Sequence, residues 1–144
     1  MKTTITIILL IIICLVQIST DVKAQSGAIV IRVSNFDSKK GNAIVNLFRE
    51  QDDMPKKPFL KSTAEIKEGI ALIVFEDVPE GNYAAIAFHD ENENGTLDHR
   101  MGFPAEAMGF SNSWNLNLFS GMPTFTKLKF NHLLHRTEIQ IKLN

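Results

Sequence analysis

Residues 70–88 read IALIVFEDVPEGNYAAIAF, which places two short apolar runs, Ile70–Phe75 and Tyr83–Phe88, on either side of a turn. The turn is Val78–Asn82, in which Pro79 fixes its own φ and Gly81 is able to adopt a positive φ. Neither run is long enough to predict a helix of several turns. The stretch therefore predicts two β-strands joined by a turn.

The segments on both sides of this stretch show the same pattern of short strands and turns. Ile29, Ile31 and Val33 alternate with Val30, Arg32 and Ser34, which is the period of two that is typical of a strand. An exposed loop is predicted at Asp52–Pro58, which contains two prolines and four charged residues. Further strands are predicted at Ala43–Phe48, Phe59–Ile66, Thr124–Phe130 and Thr137–Leu143.

These segments together predict an all-β fold. About seven short strands fall within about 120 residues, a number of strands and a length that are typical of small sandwich domains. No segment has the periodicity of a helix of three turns. We therefore expect a single antiparallel β-sandwich of about seven strands, with a transthyretin-like or immunoglobulin-like layout.

The first 24 residues are predicted to be a secretory signal peptide. A basic start at Lys2 is followed by the apolar run Ile5–Ile18 and by Val22-Lys23-Ala24, a small-residue cleavage site. The apolar run is shorter than the ~20 residues that a membrane-spanning helix needs. We therefore expect residues 25–144 to form one exported domain, periplasmic or extracellular, with no stable membrane anchor after cleavage.

Composition excludes several classes of function. The single cysteine, Cys14, lies within the predicted signal peptide, so the exported chain is expected to have no disulfide. The 15 basic and 16 acidic residues are nearly balanced. The chain has neither a basic stripe that would favour nucleic-acid binding nor a basic amphipathic helix that would favour a membrane surface.

The motif of greatest chemical interest directly follows the second strand of the opening stretch. Residues 89–98 read HDENENGTLD, so side chains that carry oxygen recur at every second position and a glycine stands at the sharpest turn. In an EF-type calcium loop, ligands come from positions 1, 3, 5, 7 and 9, and position 6 is glycine. With Gly95 at position 6, the predicted calcium ligands are Asp90, Asn92, Asn94, Thr96 and Asp98.

The predicted calcium site is incomplete within its own loop. Position 12 of an EF-type loop is a bidentate Glu, whereas this chain has Met101 there. Glu106 or Asp77 could supply the missing carboxylate from another segment. With so few carboxylates the affinity is expected to be weak, on the order of 10⁻⁴–10⁻³ M. The alternative hypothesis is a polar loop whose Asn and Asp side chains accept hydrogen bonds from the loop's own backbone.

The segments around this loop resemble a known family. The loop with its flanks at 87–98 and the segments Gly102–Glu106 and Gly109–Asn112 together resemble the bacterial domain-of-unknown-function family numbered 2141. The turn 78–84 resembles a hairpin of transthyretin-like and collagen-binding B-type sandwich modules. The resemblance implies an exported β-sandwich, and it implies no particular activity.

Three hypotheses about function remain open. We favour an exported, non-enzymatic binding or structural module with a calcium-stabilised loop, whose partner is an unknown ligand or envelope protein. The second hypothesis is a hydrolytic enzyme that uses His89 and Asp90, with or without Glu106 and with or without a metal. Against it, the chain has no recognisable pair of nucleophile and base, and Ser111 does not lie in a G-x-S-x-G motif.

The third hypothesis is a carrier of a small glycan or peptide with an aromatic-lined site. Aromatic side chains are concentrated between residues 103 and 125, and Trp114 is the best single candidate for stacking on a ligand. We expect most of these rings to pack in the core instead. The four histidines, His89, His99, His132 and His135, lack the spacing of a zinc site and are expected to be surface or hydrogen-bonded residues.

Overall fold

The computed structural model describes residues 26–117 and 119–144, so the predicted signal peptide lies outside the described residues. The described chain is all-β, as predicted, with ten strands rather than about seven because several are only two or three residues long. The strands are β1 Ser26–Ser34, β2 Asn42–Phe48, β3 Leu60–Glu65, β4 Ile70–Pro79, β5 Gly81–Asp90, β6 His99–Arg100, β7 Phe103–Pro104, β8 Met108–Phe110, β9 Phe130–His132 and β10 Arg136–Lys142.

A three-stranded sheet has the order β10-β1-β4. β1 and β4 are antiparallel, but β10 runs parallel to β1, with Ile31 opposite Ile139. The expectation of a purely antiparallel arrangement is therefore wrong for this pair. Alternation of apolar and polar residues shows which side of a strand is buried, but it carries no information about the direction of the neighbouring strand.

A five-stranded sheet has the order β3-β2-β5, and both β8 and β9 pair with the remaining edge of β5. β9 lies along the start of β5, with Tyr83 opposite Phe130, and β8 lies along its end, with Phe88 opposite Met108. β5 is therefore the central strand of this sheet. β6 and β7 form a separate two-stranded hairpin.

The main hydrophobic core collects side chains from both large sheets. Ile29, Ile31 and Val33 of β1 are fully buried, which is the alternation that the sequence predicted. They share one apolar cluster with Val45 of β2 and Ala85 of β5. A second, smaller cluster forms on the opposite face of the five-stranded sheet, around Phe48, Ala84, Ile86, Phe110 and Leu128.

One local prediction is wrong. Residues 124–130 do not form one strand, because Phe125–Leu128 is a single helical turn that buries Leu128, and only Phe130 and the residues after it are extended. The turn between β4 and β5 consists of Glu80 alone, and Gly81 does not adopt the positive φ that glycine allows. The positive φ of this region belongs to Asp77, at 54°, which lies within β4. The loop predicted at Asp52–Pro58 is confirmed, since no strand or helix lies there.

Within the described residues, no helix is long and apolar enough to cross a membrane.

Candidate functional site

The predicted calcium loop directly follows the central strand of the five-stranded sheet. β5 ends at Asp90 and β6 begins at His99, so the loop consists of residues 91–98. Asp90 lies opposite Asn42 at the beginning of β2. Gly41 has a φ of +70°, and a Cβ at this position would overlap the carbonyl oxygen of Asp90. The start of the loop is therefore fixed by close backbone packing on β2.

Asp90 holds the first half of the loop together. Its side chain is buried, although it belongs to a charged residue. Oδ1 accepts a hydrogen bond from the backbone N–H of Asn94 at 3.1 Å, and Oδ2 accepts one from the N–H of Gly95 at 2.8 Å. These two backbone hydrogen bonds partly replace the hydrogen bonds with water that the carboxylate loses when it is buried.

The second half of the loop is a network of amide and carboxylate groups. Asn92 and Asn94 donate from their Nδ2 atoms to the two oxygens of Asp98, at 2.7 and 3.0 Å. The Oδ1 atom of Asn94 accepts hydrogen bonds from the N–H and the hydroxyl of Thr96, at 2.8 and 2.9 Å. The five predicted ligand residues therefore do lie together. The side-chain oxygens of Asp90, Asn92, Asn94 and Asp98 accept hydrogen bonds from the loop itself, whereas the Thr96 hydroxyl donates one.

Glu106 joins the loop from the segment after β7. Its Oε2 accepts a hydrogen bond from the N–H of Asp98 at 3.1 Å. Burial raises the pKa of the Glu106 carboxyl, and the negative charges of Asp90 and Asp98 raise this pKa further, against the opposing effect of the hydrogen bond. The other candidate for the missing ligand, Asp77, lies near the turn before β5, at the far end of that strand from the loop. The structure thus brings Glu106 to the site and not Asp77.

Neighbouring segments also contact the loop. Lys61 of β3 donates from Nζ to the carbonyl oxygen of Gly95, and Ser38 donates from Oγ to the carboxylate of Glu91, both at 2.5 Å. Among the described residues, no group of three or more His, Cys, Asp or Glu side chains is placed to hold a metal ion. Any cation held here would need amide and backbone oxygens in addition to carboxylates.

His89 and Asp90 do not form a catalytic pair. Consecutive residues of a strand point to opposite faces of the sheet. His89 is buried, its ring meets Phe36 edge to face at 5.1 Å, and Nε2 donates to the carbonyl oxygen of Lys40 at 2.8 Å.

His132 is buried too, and donates from Nε2 to the carbonyl oxygen of Val78 at 3.2 Å. The expectation of surface or hydrogen-bonded histidines is confirmed, since His99 and His135 are exposed.

Ser111 has a structural role. Its Oγ accepts a hydrogen bond from the N–H of Ala85 at 2.9 Å and donates to the carbonyl oxygen of Leu128 at 2.6 Å. Ala85 lies between the part of β5 that pairs with β9 and the part that pairs with β8. The buried hydroxyl therefore satisfies a backbone group in the gap between these two short strands.

The aromatic residues between 103 and 125 do not line one common site. Trp114 meets Phe110 edge to face at 4.8 Å, and the Nζ of Lys127 lies 5.5 Å from the centre of its ring. Phe125 packs against the same small cluster. Phe103 and Phe119, by contrast, are 71% and 96% exposed. The prediction that most of these rings are core residues is confirmed for three of the five.

Asn46 is a notable residue that the sequence pattern did not predict. This residue lies on β2 between Ile44 and Phe48, on the face of the sheet opposite the main core, and it borders a cavity of about 470 Å³. Its Oδ1 atom is buried and has no hydrogen-bond partner. The sequence contains one signal of this feature, a single polar residue within the apolar run 43–48.

Comparison with known proteins agrees with the family resemblance carried by the loop and the segments after it. Residues 31–140 match the family model described as an uncharacterized protein conserved in bacteria, DUF2141. The chain belongs to the DUF2141 family. The matched region contains the whole candidate loop and Glu106. No curated protein and no solved structure matches the chain significantly.

Proposed function

We propose that this DUF2141 protein is an exported, non-enzymatic binding or structural module whose loop from Asp90 to Asp98 binds calcium. Its layout is proposed to be a transthyretin-like or immunoglobulin-like sandwich, which is supported by the single core that both large sheets share. Export to the periplasm or cell exterior is supported by the sequence of residues 1–24. The partner is proposed to be a ligand or an envelope protein.

The observation that supports calcium best is the hydrogen bond from the N–H of Asp98 to Oε2 of Glu106, at 3.1 Å, which brings a carboxylate from outside the loop to its second half. Burial raises the pKa of Glu106, and the negative charges of Asp90 and Asp98 add to this effect. Like charges that are partly removed from water repel one another, and a bound cation would replace this repulsion with attraction. Glu106 would take the place of the position-12 Glu that the loop itself lacks.

Calcium would compete with the hydrogen bonds within the loop. The oxygens of Asn92 and Asn94 accept hydrogen bonds from backbone N–H groups, and calcium prefers this type of oxygen along with carboxylates and backbone carbonyls. A carboxylate oxygen has more than one lone pair, so Asp90 can accept a backbone hydrogen bond and still bind a cation. The site is therefore proposed to stabilise the loop and to perform no chemical step.

The hydrolase hypothesis has less support. His89 is turned away from Asp90 and its Nε2 is engaged by the carbonyl oxygen of Lys40, so neither residue activates the other. Both hydrogen-bonding directions of the Ser111 hydroxyl are used by backbone groups. The carrier hypothesis centred on Trp114 also loses support, because Phe110 and Lys127 occupy the space beside its ring.

The calcium proposal is tested by thermal unfolding of the purified protein in chelator, in calcium and in magnesium. Calcium at ten times Kd is expected to stabilise the fold by roughly 1.4 kcal/mol, which raises Tm by several degrees. Magnesium should do much less, since it demands a tighter octahedral geometry and gives up water reluctantly. Asp90→Ala should unfold at a lower temperature and show no response to calcium.

Glu93→Gln is the matched control, because it removes one exposed negative charge from the same loop without altering a predicted ligand. Its calcium response should equal that of the wild type. If wild-type Tm is the same in excess chelator and in several millimolar calcium, the loop is a structural turn. In that case Asp90→Ala loses the same stability in both solutions.

A further inference from the structure

The sequence contains a single Asn-Gly pair, Asn94–Gly95, and it lies in the candidate loop, where Asn94 is exposed to water. An asparagine loses ammonia when the backbone nitrogen of the next residue attacks the Cγ atom of its side chain. Glycine in the next position favours this attack, because it has no Cβ to hinder the approach of the two groups. Asn94 is therefore chemically reactive in addition to being a predicted calcium ligand.

The attacking nitrogen is held in the folded loop. The N–H of Gly95 donates to Oδ2 of Asp90 at 2.8 Å, and the side chain of Asp90 is buried. The nitrogen has to give up its proton in order to attack, and the charge of Asp90 disfavours a second negative charge beside it. A hydrogen bond to a charged acceptor is also stronger than a neutral one. The contact with Asp90 therefore opposes the reaction.

The side chain under attack is held as well. Oδ1 of Asn94 accepts hydrogen bonds from the N–H and the hydroxyl of Thr96, at 2.8 and 2.9 Å. Nδ2 of Asn94 donates to Oδ1 of Asp98 at 3.0 Å. These three bonds fix the orientation of the amide group. Both reacting groups thus leave their present partners only when the loop opens, which is the kind of local opening that loops undergo without global unfolding.

We propose that Asn94 is a site of spontaneous deamidation, which the closed loop suppresses and which proceeds when the loop opens. The nitrogen of Gly95 loses its proton to a base in solution and forms a bond to Cγ of Asn94. The bond from Cγ to Nδ2 then breaks, and ammonia leaves with a proton from water. Water adds to the resulting succinimide ring and opens it at either carbonyl group. The products at position 94 are aspartate and isoaspartate, and water is the only co-reactant.

The reaction changes the relation between positions 94 and 98. The amide of Asn94 donates to Asp98, whereas a carboxylate at position 94 has no donor and faces the negative charge of Asp98. Because like charges repel, the converted loop opens more readily when no cation is bound. Deamidation would therefore act as an irreversible switch that loosens the loop. This consequence does not depend on whether the loop binds calcium.

The test follows the conversion of Asn94 by mass spectrometry of tryptic peptides, after incubation in mildly alkaline buffer with chelator. The folded wild type should convert at least about tenfold more slowly than the same protein unfolded in urea. Folded Asp90→Ala should convert about tenfold faster than the folded wild type, since the N–H of Gly95 has lost a charged acceptor. Asp90→Asn keeps the shape of the side chain without its charge, and it provides the same comparison if Asp90→Ala does not fold.

Glu93→Gln is the matched control, because it removes an exposed charge next to Asn94 and should convert at the wild-type rate. The proposal is overturned if the folded wild type converts as fast as the unfolded protein. Faster conversion in the folded state would also overturn it, because the hydrogen bonds would then promote the attack. A third contrary result is an Asp90 variant that folds and converts no faster than the wild type.

Asn94→Asp supplies the aspartate product directly and tests the switch. In chelator at low salt its Tm should be lower than that of the wild type, and added salt should reduce the difference by screening the exposed charges. Asn94→Ala removes the same donor without adding a charge, so its difference from the wild type should not depend on salt. An Asn94→Asp variant as stable as the wild type at low salt would show that conversion does not loosen the loop.

Discussion

Individual side chains at the end of β5 show why neighbours in sequence have unrelated roles. His89 and Asp90 are both buried polar residues, and their adjacency in the sequence suggested a catalytic pair. The strand directs the ring of His89 to Phe36 and Lys40, and it directs the carboxylate of Asp90 to the backbone of the loop. Adjacency in sequence therefore did not indicate contact between the two side chains, because consecutive side chains of a strand point to opposite faces of the sheet.

At the scale of single residues, Glu106 should make stability depend on pH. Its pKa in the folded protein is raised above the ordinary value of 4.5, because the carboxyl is partly buried and lies near Asp90 and Asp98. The folded state therefore holds this proton more tightly than the unfolded chain does. As pH rises from 4.5 towards the raised pKa, the unfolded chain ionises first, and the folded state loses stability relative to it.

Glu106→Gln should remove this contribution and keep an acceptor for the N–H of Asp98. Urea unfolding in chelator at several values between pH 4.5 and 7 measures the effect. The free energy of unfolding of the variant, relative to the wild type, should increase with pH across this range. Glu93→Gln serves as the control and should give no such trend. Parallel pH curves for Glu106→Gln and the wild type would contradict the raised pKa.

At the scale of elements, the strands were predictable and their partners were not. The alternation in β1 and the runs that became β2 and β5 correctly indicated strands, because burial on one face imposes a period of two. The parallel direction of β10 and the helical turn Phe125–Leu128 were missed. The first depends on contacts distant in sequence, and the second is too short to establish a helical period.

Packing of β8 against β10 gives a prediction at this scale. A Cβ on Gly109 would lie 2.5 Å from the carbonyl oxygen of Lys142 and 2.6 Å from Cγ2 of Ile141. Gly109→Ala should therefore force the two strands apart and reduce the free energy of unfolding by about 1–3 kcal/mol. Urea unfolding measures this loss.

Gly81→Ala is the matched control on β5. Its added Cβ would meet only the ring of Tyr83, at 3.6 Å, which is an ordinary contact, so the change in stability should be smaller. Equal effects of the two substitutions would show that Gly109 is not a point of close approach between the sheets.

At the scale of the whole molecule, the candidate loop and the cavity that Asn46 borders differ in how far sequence could predict them. The residues of the loop are contiguous, so their spacing alone predicted the group Asp90, Asn92, Asn94, Thr96 and Asp98, and it left Glu106 as one of two possible additions. The cavity that Asn46 borders combines residues from β2, β3, β5, β6, β8 and two loops. Only the order and register of the strands bring these residues together, so no local pattern could place them in one cavity.

The same long-range organisation predicts that both sheets unfold together. Leu143 is fully buried, its N–H donates to the carbonyl oxygen of Ser34, and its own carbonyl oxygen accepts a hydrogen bond from Asn35 at 2.7 Å. The next residue, Asn144, donates from its N–H to the carbonyl oxygen of Met108 in the five-stranded sheet, at 2.9 Å. This end of the chain therefore joins the two large sheets.

Leu143→Ala should lower the free energy of unfolding by about 2–5 kcal/mol, because it leaves a cavity in the shared core. Leu133→Ala is the control, since Leu133 is 58% exposed, and its effect should stay within about 0.5 kcal/mol.

Far-UV circular dichroism follows all strands, and fluorescence of the single tryptophan, Trp114, follows the smaller cluster. In wild type and in Leu143→Ala the two signals should change at the same urea concentration, because one core links the sheets. Separate midpoints in the wild type would mean that the five-stranded sheet and the three-stranded sheet unfold independently, and that the contacts of Leu143 do not couple them.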